Sequence, residues 1–146
     1  MAKGDGLYFQ ASREIKKTRP NKKKVFLLLQ RAAGYGNSKA TYALATWYLF
    51  GEYVKKDYKK GFELLEIAAE DKNPLALHDI AVSFETGKGT KKNLKKAFES
   101  YLAAALLGHK QSIYEVGRCY NYGIGVKENS QMATIWYDAA KYWNVS

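Results

Sequence analysis

A single cysteine, Cys119, stands in the 146-residue chain, so no internal disulfide framework can form. That scarcity agrees with a reducing compartment. Histidine is almost as rare. His78 and His109 lie 31 residues apart, and neither belongs to an H-E-x-x-H, C-x-x-C or other paired zinc spacing. With no nucleophile–base pair visible, the chain is expected to be no enzyme and to hold no metal and no cofactor. No apolar run approaches the roughly 20 residues that cross a bilayer, so membrane insertion is not expected. The opening residues Met1 to Gly6 lack the apolar centre of a secretory signal, and a cytoplasmic setting is expected. Acidic residues are in deficit: 14 Asp and Glu face 24 Lys and Arg, for a net charge of +10. The apolar share, 47%, suffices for one domain with a packed core.

What the chain has is a period. Residues 74–109 recur on both sides at a fixed 36-residue offset without a gap. The columns read Gly51/Gly87/Gly123, Tyr48/Phe84/Tyr120, Leu44/Ile80/Val116 and Ala68/Ala104/Ala140. Such a repeat marks a solenoid, in which each unit covers its neighbour's apolar face. Each unit reads as helix, tight turn, helix. First helices are predicted over 38–50, 74–86 and 110–122, and second helices over 57–70, 93–107 and 129–142. Glycine just past each first helix supplies a left-handed C-cap. Asp57, Asn93 and Asn129, with Asn21 in the same column, are N-caps for the second helices, and Asn73-Pro74 opens a first helix. Small residues at Ala45, Ala81 and Gly117 admit the paired helix closely. Residues 1–37 fit the register only in their second half, with Ile15 where the other units have glycine, and are expected to form a degenerate cap repeat. The expected architecture is all-α: one right-handed solenoid domain over 1–146, with repeats at 38–73, 74–109 and 110–146.

The columns resemble the Sel-one-like repeat family, an α-solenoid relative of the tetratricopeptide repeats. The fullest match is Val116-Gly117, Tyr120, Gly123-Ile124-Gly125-Val126, Ala133, Trp136-Tyr137 and Ala139-Ala140. Residues 74–109 depart at Ser100, where the family usually carries tryptophan. Residues 38–73 depart at Tyr53, in place of the second turn glycine, and at Gly61, in place of the helix alanine. The resemblance implies an adaptor, regulator or inhibitor of the immunity type, in a bacterial-type setting. Hydrolase activity, claimed for some cysteine-rich relatives, ranks last.

In related solenoids the first helices line the concave side, where partner segments lie. The resemblance therefore implies a partner face built from Tyr42, Thr46, Leu49 and Phe50. In the next two repeats it continues through His78, Asp79, Val82 and Glu85, then Tyr114, Glu115, Arg118, Asn121 and Tyr122. Aromatic groups interleaved with single charges match the anchor-and-rim anatomy of recognition surfaces. The competing reading packs some of these rings, Phe50 above all, beneath the neighbouring unit. His78 is placed on the exposed side of its helix, His109 in a helix-cap column with Asn37 and Asn73, and Cys119 in packing.

Charge gathers elsewhere. Lys55, Lys56, Lys59 and Lys60 repeat as Lys91, Lys92, Lys95 and Lys96, with Lys88 and Lys127 beside them. Lys16, Lys17, Arg19, Lys22, Lys23 and Lys24 hold the same edge of the cap. A ridge of one sign attracts acidic proteins or polyanions. Its lysine bias, with no aromatics between, ranks nucleic acid below protein as the partner. Gly87-Lys88-Gly89 is a recurring turn, since no strand precedes it as a phosphate loop requires. At the far end, Trp136, Tyr137, Tyr142 and Trp143 leave an uncapped face, to be covered by Trp143 folding back or by self-association.

Overall fold

The computed structural model describes residues 2–145, and these form eight α-helices without a strand. They are α1 (Lys3–Ile15), α2 (Lys22–Gly34), α3 (Ser38–Phe50), α4 (Tyr58–Glu70), α5 (Pro74–Thr86), α6 (Leu94–Leu106), α7 (Lys110–Tyr122) and α8 (Ser130–Tyr142). The repeats thus adopt the helix pairs that their periodicity predicts.

The caps fix this phase. Asn21, Asp57, Asn93 and Asn129 each accept a backbone N–H from three residues on, at the starts of α2, α4, α6 and α8. Asn73 accepts from both Leu75 and Ala76 behind Pro74. Gly51, Gly87 and Gly123 close the first helices at φ 70, 75 and 67°, where a side chain would be strained. Each turn is then tied back by the same bond. The Asp57, Asn93 and Asn129 amides donate to the carbonyls of Tyr48, Phe84 and Tyr120, at 2.8 to 2.9 Å.

The cap repeat differs at this turn. Its connection, 16–21, is six residues long against seven in 51–57, 87–93 and 123–129. It closes on Lys16 in right-handed helical geometry, without a glycine. An ungapped 36-residue register therefore cannot fit both helices of this pair. The buried face of α1 runs Gly4, Leu7, Ala11 and Glu14; Gly4 and Ala11 share the buried columns of Ala40 and Trp47, whereas Leu7 and Glu14 do not match a buried column.

The chain divides into two compact units, the first ending at Asp71 and the second beginning at Lys72. In the first, α1 packs on α2, α2 on α3 and α3 on α4, around Leu7, Val25, Leu29, Leu44 and Trp47. In the second, α5 packs on α6, α6 on α7 and α7 on α8, around Phe98, Tyr101, Ile113, Val116 and Cys119. Close approach is real where small residues predict it. A Cβ on Gly117 would lie 2.8 Å from a ring carbon of Tyr137. Gly61 has a local reason as well: a methyl there would lie 2.6 Å from a terminal carbon of Leu49, which occupies the space instead. Tyr53 accepts a left-handed backbone (φ 62°) in the column of Gly125, and its ring packs against Phe26 and Trp47. Aromatic packing offsets a conformational cost of about 1–2 kcal/mol.

Candidate functional site

In the second unit, two hydrogen-bonded bridges join α5 to α7. The larger is a charged fork. Arg118 donates both terminal nitrogens to the carboxylate of Glu85, at 3.0 and 2.7 Å, and its Nε to Glu115 at 2.6 Å. Tyr101 of α6 donates its hydroxyl to the same Glu85 carboxylate at 2.9 Å. Arg118, Glu85 and Glu115 keep 26%, 22% and 17% of their side-chain surface, so solvent screens them little. The Arg118 hydrogen bonds hold the Glu85 carboxyl below its usual range and keep the guanidinium protonated. Burial, with Glu85 beside it, raises the Tyr101 phenol. The sequence shows these groups only as single charges between aromatic residues. In the structure they bond to one another: helical spacing brings Glu115 within reach of Arg118, and the fold brings Glu85 of α5 to the same guanidinium.

The second bridge overturns an expectation. His78 does not lie on the exposed side of α5; it is half-buried, and its Nδ1 meets the Ser112 hydroxyl at 2.9 Å. Its ring packs against Tyr101 and, at 4.7 Å between centroids, against His109. A separation of 31 residues disguised this meeting. The fold brings position 78, five residues past one helix cap, against the cap of the next repeat. His109 is that cap, as its column predicts: its Nδ1 accepts from the Ser112 amide at 3.3 Å. Burial lowers the pKa of both rings. Ser112 is buried in a column otherwise held by Ala40 and Ala76, and that departure was the available signal.

The remaining face residues divide by exposure. Tyr122 is 69% exposed and Val82 39%, whereas Tyr114 is half-buried and packs on Tyr137 at 5.3 Å. Asp79 and Asn121 are half-buried. In the first unit Phe50 is 78% exposed, while Tyr42, Thr46 and Leu49 are half-buried. Thr46 returns its hydroxyl to the Ala43 carbonyl, and Leu49 fills the place above Gly61. Beside them lies a feature the columns do not reveal. An apolar notch of about 110 Å³ is lined by Tyr8, Ala11, Val25, Leu29 and Trp47.

Lys55, Lys56, Lys59, Lys60, Lys88, Lys91, Lys92, Lys95 and Lys96 are exposed. Two lie over aromatic rings, Lys56 over Tyr58 and Lys96 over Phe84, each at 5.6 Å, so the ridge is less bare of aromatics than its sequence suggests. In the cap repeat three of the lysines are ion-paired. Lys17 and Lys24 share the buried Glu14, whose carboxyl the Lys17 hydrogen bond holds low, and Lys22 meets Glu52. Cys119 is fully buried, and its thiol is pushed up to about 12 by burial, which suits packing and not nucleophilic attack. Among the described residues, no group of three or more His, Cys, Asp or Glu could hold a metal, and no helix is long and apolar enough to cross a membrane. The far end is partly closed by the chain itself. Val145 packs into the second core, and Trp143, still 47% exposed, receives Lys110 at 4.8 Å.

The family model of the Sel1 repeat matches residues 38–73, 74–109 and 110–141. Among solved structures, the chain is similar to a protective antigen present in uropathogenic Escherichia coli strains, described as displaying an SLR fold. Identity is 25% and the TM-score 0.93, over 98% of this chain and 31% of that one. It is also similar to a Sel1 repeat protein from Oxalobacter formigenes, with 23% identity and a TM-score of 0.85, over 95% of this chain and 41% of that one. A third likeness is to the cysteine rich protein B of Helicobacter pylori, with 25% identity and a TM-score of 0.67, over 76% and 84% of the two chains. The chain therefore spans less than half the length of the first two. No curated protein matches its sequence.

Proposed function

This chain belongs to the Sel1 repeat family of helical solenoids, generally protein-interaction modules on a typically non-enzymatic scaffold, and from that premise we propose that it captures a partner protein's segment on its first-helix face. The role is that of an adaptor, regulator or immunity-type inhibitor in a bacterial-type cytoplasm, with the repeats acting as one domain and without catalysis. The single observation that supports it most is the exposure of large anchors, Phe50 and Tyr122, at the ends of first helices. In the second unit that anchor stands beside charges already locked in place by the Glu85–Arg118–Glu115 fork. Such a surface has little side-chain entropy left to lose on binding.

Exposure also selects the test. Phe50→Ala and Tyr122→Ala remove anchors that carry little folding energy, unlike Arg118 and Tyr114, which are tied into the fold. Together the two changes are expected to weaken capture by the native partner roughly 30-fold or more, about 2 kcal/mol, with an unaltered melting curve. Partner pull-down followed by titration calorimetry measures this, and unchanged affinity refutes the face.

A second reading rests on the exposed lysine ridge, which suits a polyanion or an acidic protein surface. Counterion release then demands that affinity for a heparin or RNA probe fall roughly 100-fold or more between about 50 and 200 mM salt. A flat response rejects the ridge as a polyanion site. A third arrangement, self-association through the end bearing Tyr142 and Trp143, predicts a concentration-dependent mass in ultracentrifugation that Trp143→Ala abolishes.

A further inference from the structure

We infer that the start of α7 is held by an acid-labile cap, a hydrogen-bonded chain running from His78 through Ser112 to His109. One arrangement of protons satisfies every contact in it. The Ser112 amide is shared between the His109 carbonyl at 3.1 Å and His109 Nδ1 at 3.3 Å, an arrangement in which Nδ1 carries a lone pair and the ring proton sits on Nε2. The Ser112 hydroxyl lies 2.8 Å from the same nitrogen and must donate to it. Its oxygen is then free to accept from His78 Nδ1–H at 2.9 Å. Donors and acceptors alternate from His78 to His109, whose Nδ1 accepts from both the hydroxyl and the amide of Ser112.

Acid breaks the chain at one point. A proton taken up at His109 Nδ1 turns the acceptor into a second N–H, which ends the contact with the Ser112 amide and forces the hydroxyl contact to reverse. It also sets a positive charge at a helix N-terminus, where the backbone dipole opposes it. The groups facing this site are His78 and Asp79 from α5, Tyr101 from α6, and Lys110 and Glu115 on α7 itself. Asp79 and Glu115 favour protonation. Burial and the mutual closeness of the two rings oppose it and prevail, leaving both histidines neutral at neutral pH. The sign follows from linkage. A base whose folded pKa is depressed lets the unfolded chain bind more protons, so stability is full above about 6.5 and declines as the pH falls below it.

The repeat supplies its own control, because Asn37 and Asn73 occupy the column of His109 and cap α3 and α5 without titrating. In the full chain, amide-exchange protection at Ser112 and Ile113, corrected for intrinsic rate, should fall about tenfold between about pH 7.5 and about pH 5. In His109→Asn it should change by less than about twofold. Equal loss in both proteins, or none in the parent, overturns the inference. So does a nitrogen spectrum of the parent showing His109 protonated at Nδ1 at neutral pH, a measurement that does not depend on the variant folding.

Discussion

Gly125→Ala should cost the second unit roughly 3 kcal/mol, read as a lower denaturant midpoint at unchanged slope. Two effects add. The backbone at Gly125 is left-handed (φ 70°), which penalises any side chain by about 1–2 kcal/mol. The added methyl would also lie 2.5 Å from the Leu94 carbonyl carbon and inside the contact distance of its oxygen. A helix backbone cannot swing aside as a flexible side chain can, so the turn between α7 and α8 must lift away from the start of α6. Gly36→Ala is the comparison. Its φ is 84° but no atom lies within 4 Å of the added carbon, so only the conformational cost, about 1–2 kcal/mol, is expected. Equal losses at the two positions would show that the carbonyl contact contributes nothing.

Arg118→Ala is the second large effect, and it concerns folding before it concerns binding. Removing the guanidinium leaves Glu115 part-buried without its donor and Glu85 part-buried with only the Tyr101 hydroxyl. A fully buried orphaned charge costs about 3–5 kcal/mol, and the residual exposure here reduces that to roughly 2. The pH dependence identifies the cause. In the parent, the Arg118 hydrogen bonds depress the Glu85 pKa, so their contribution is present above the ordinary carboxyl value of 4.5 and is lost as pH falls through the folded value. The gap between parent and variant, measured by urea titration, should therefore be widest near neutrality and shrink below about pH 4. Adding Glu85→Gln and Glu115→Gln to the variant should recover about half of the loss. A gap that persists undiminished in acid would point to lost packing by the arginine stem instead.

The sequence makes the fold legible for a definite reason. Glycine past each first helix, an Asx cap before each second helix and a fixed apolar column are local requirements of one supersecondary unit, and three copies let each be checked against the others. The bounds of α3, α5 and α7 could be read from these signals alone. The cap repeat was less legible because its turn is one residue shorter and lacks the glycine, which shifts the bounds of α1 by one position against the later repeats. Among the face residues, Phe50 and Tyr122 stand on the side of the wheel opposite the core, and both are exposed. The fates of Arg118, Glu85, Glu115 and His78 were not legible, since a helical wheel states which side a residue occupies and not what stands opposite.

Period, caps and composition, then, dictated the helix pairs, their order and the family. They could do so because each depends on neighbours within a few residues along the chain. Which charges remain available to a partner was decided only in three dimensions. Arg118 meets Glu85 from 33 positions away, and His78 meets Ser112 from 34. At such separations the pairing follows from how α5 and α7 lie together, and desolvation makes each group bond to whatever the packing has brought within reach.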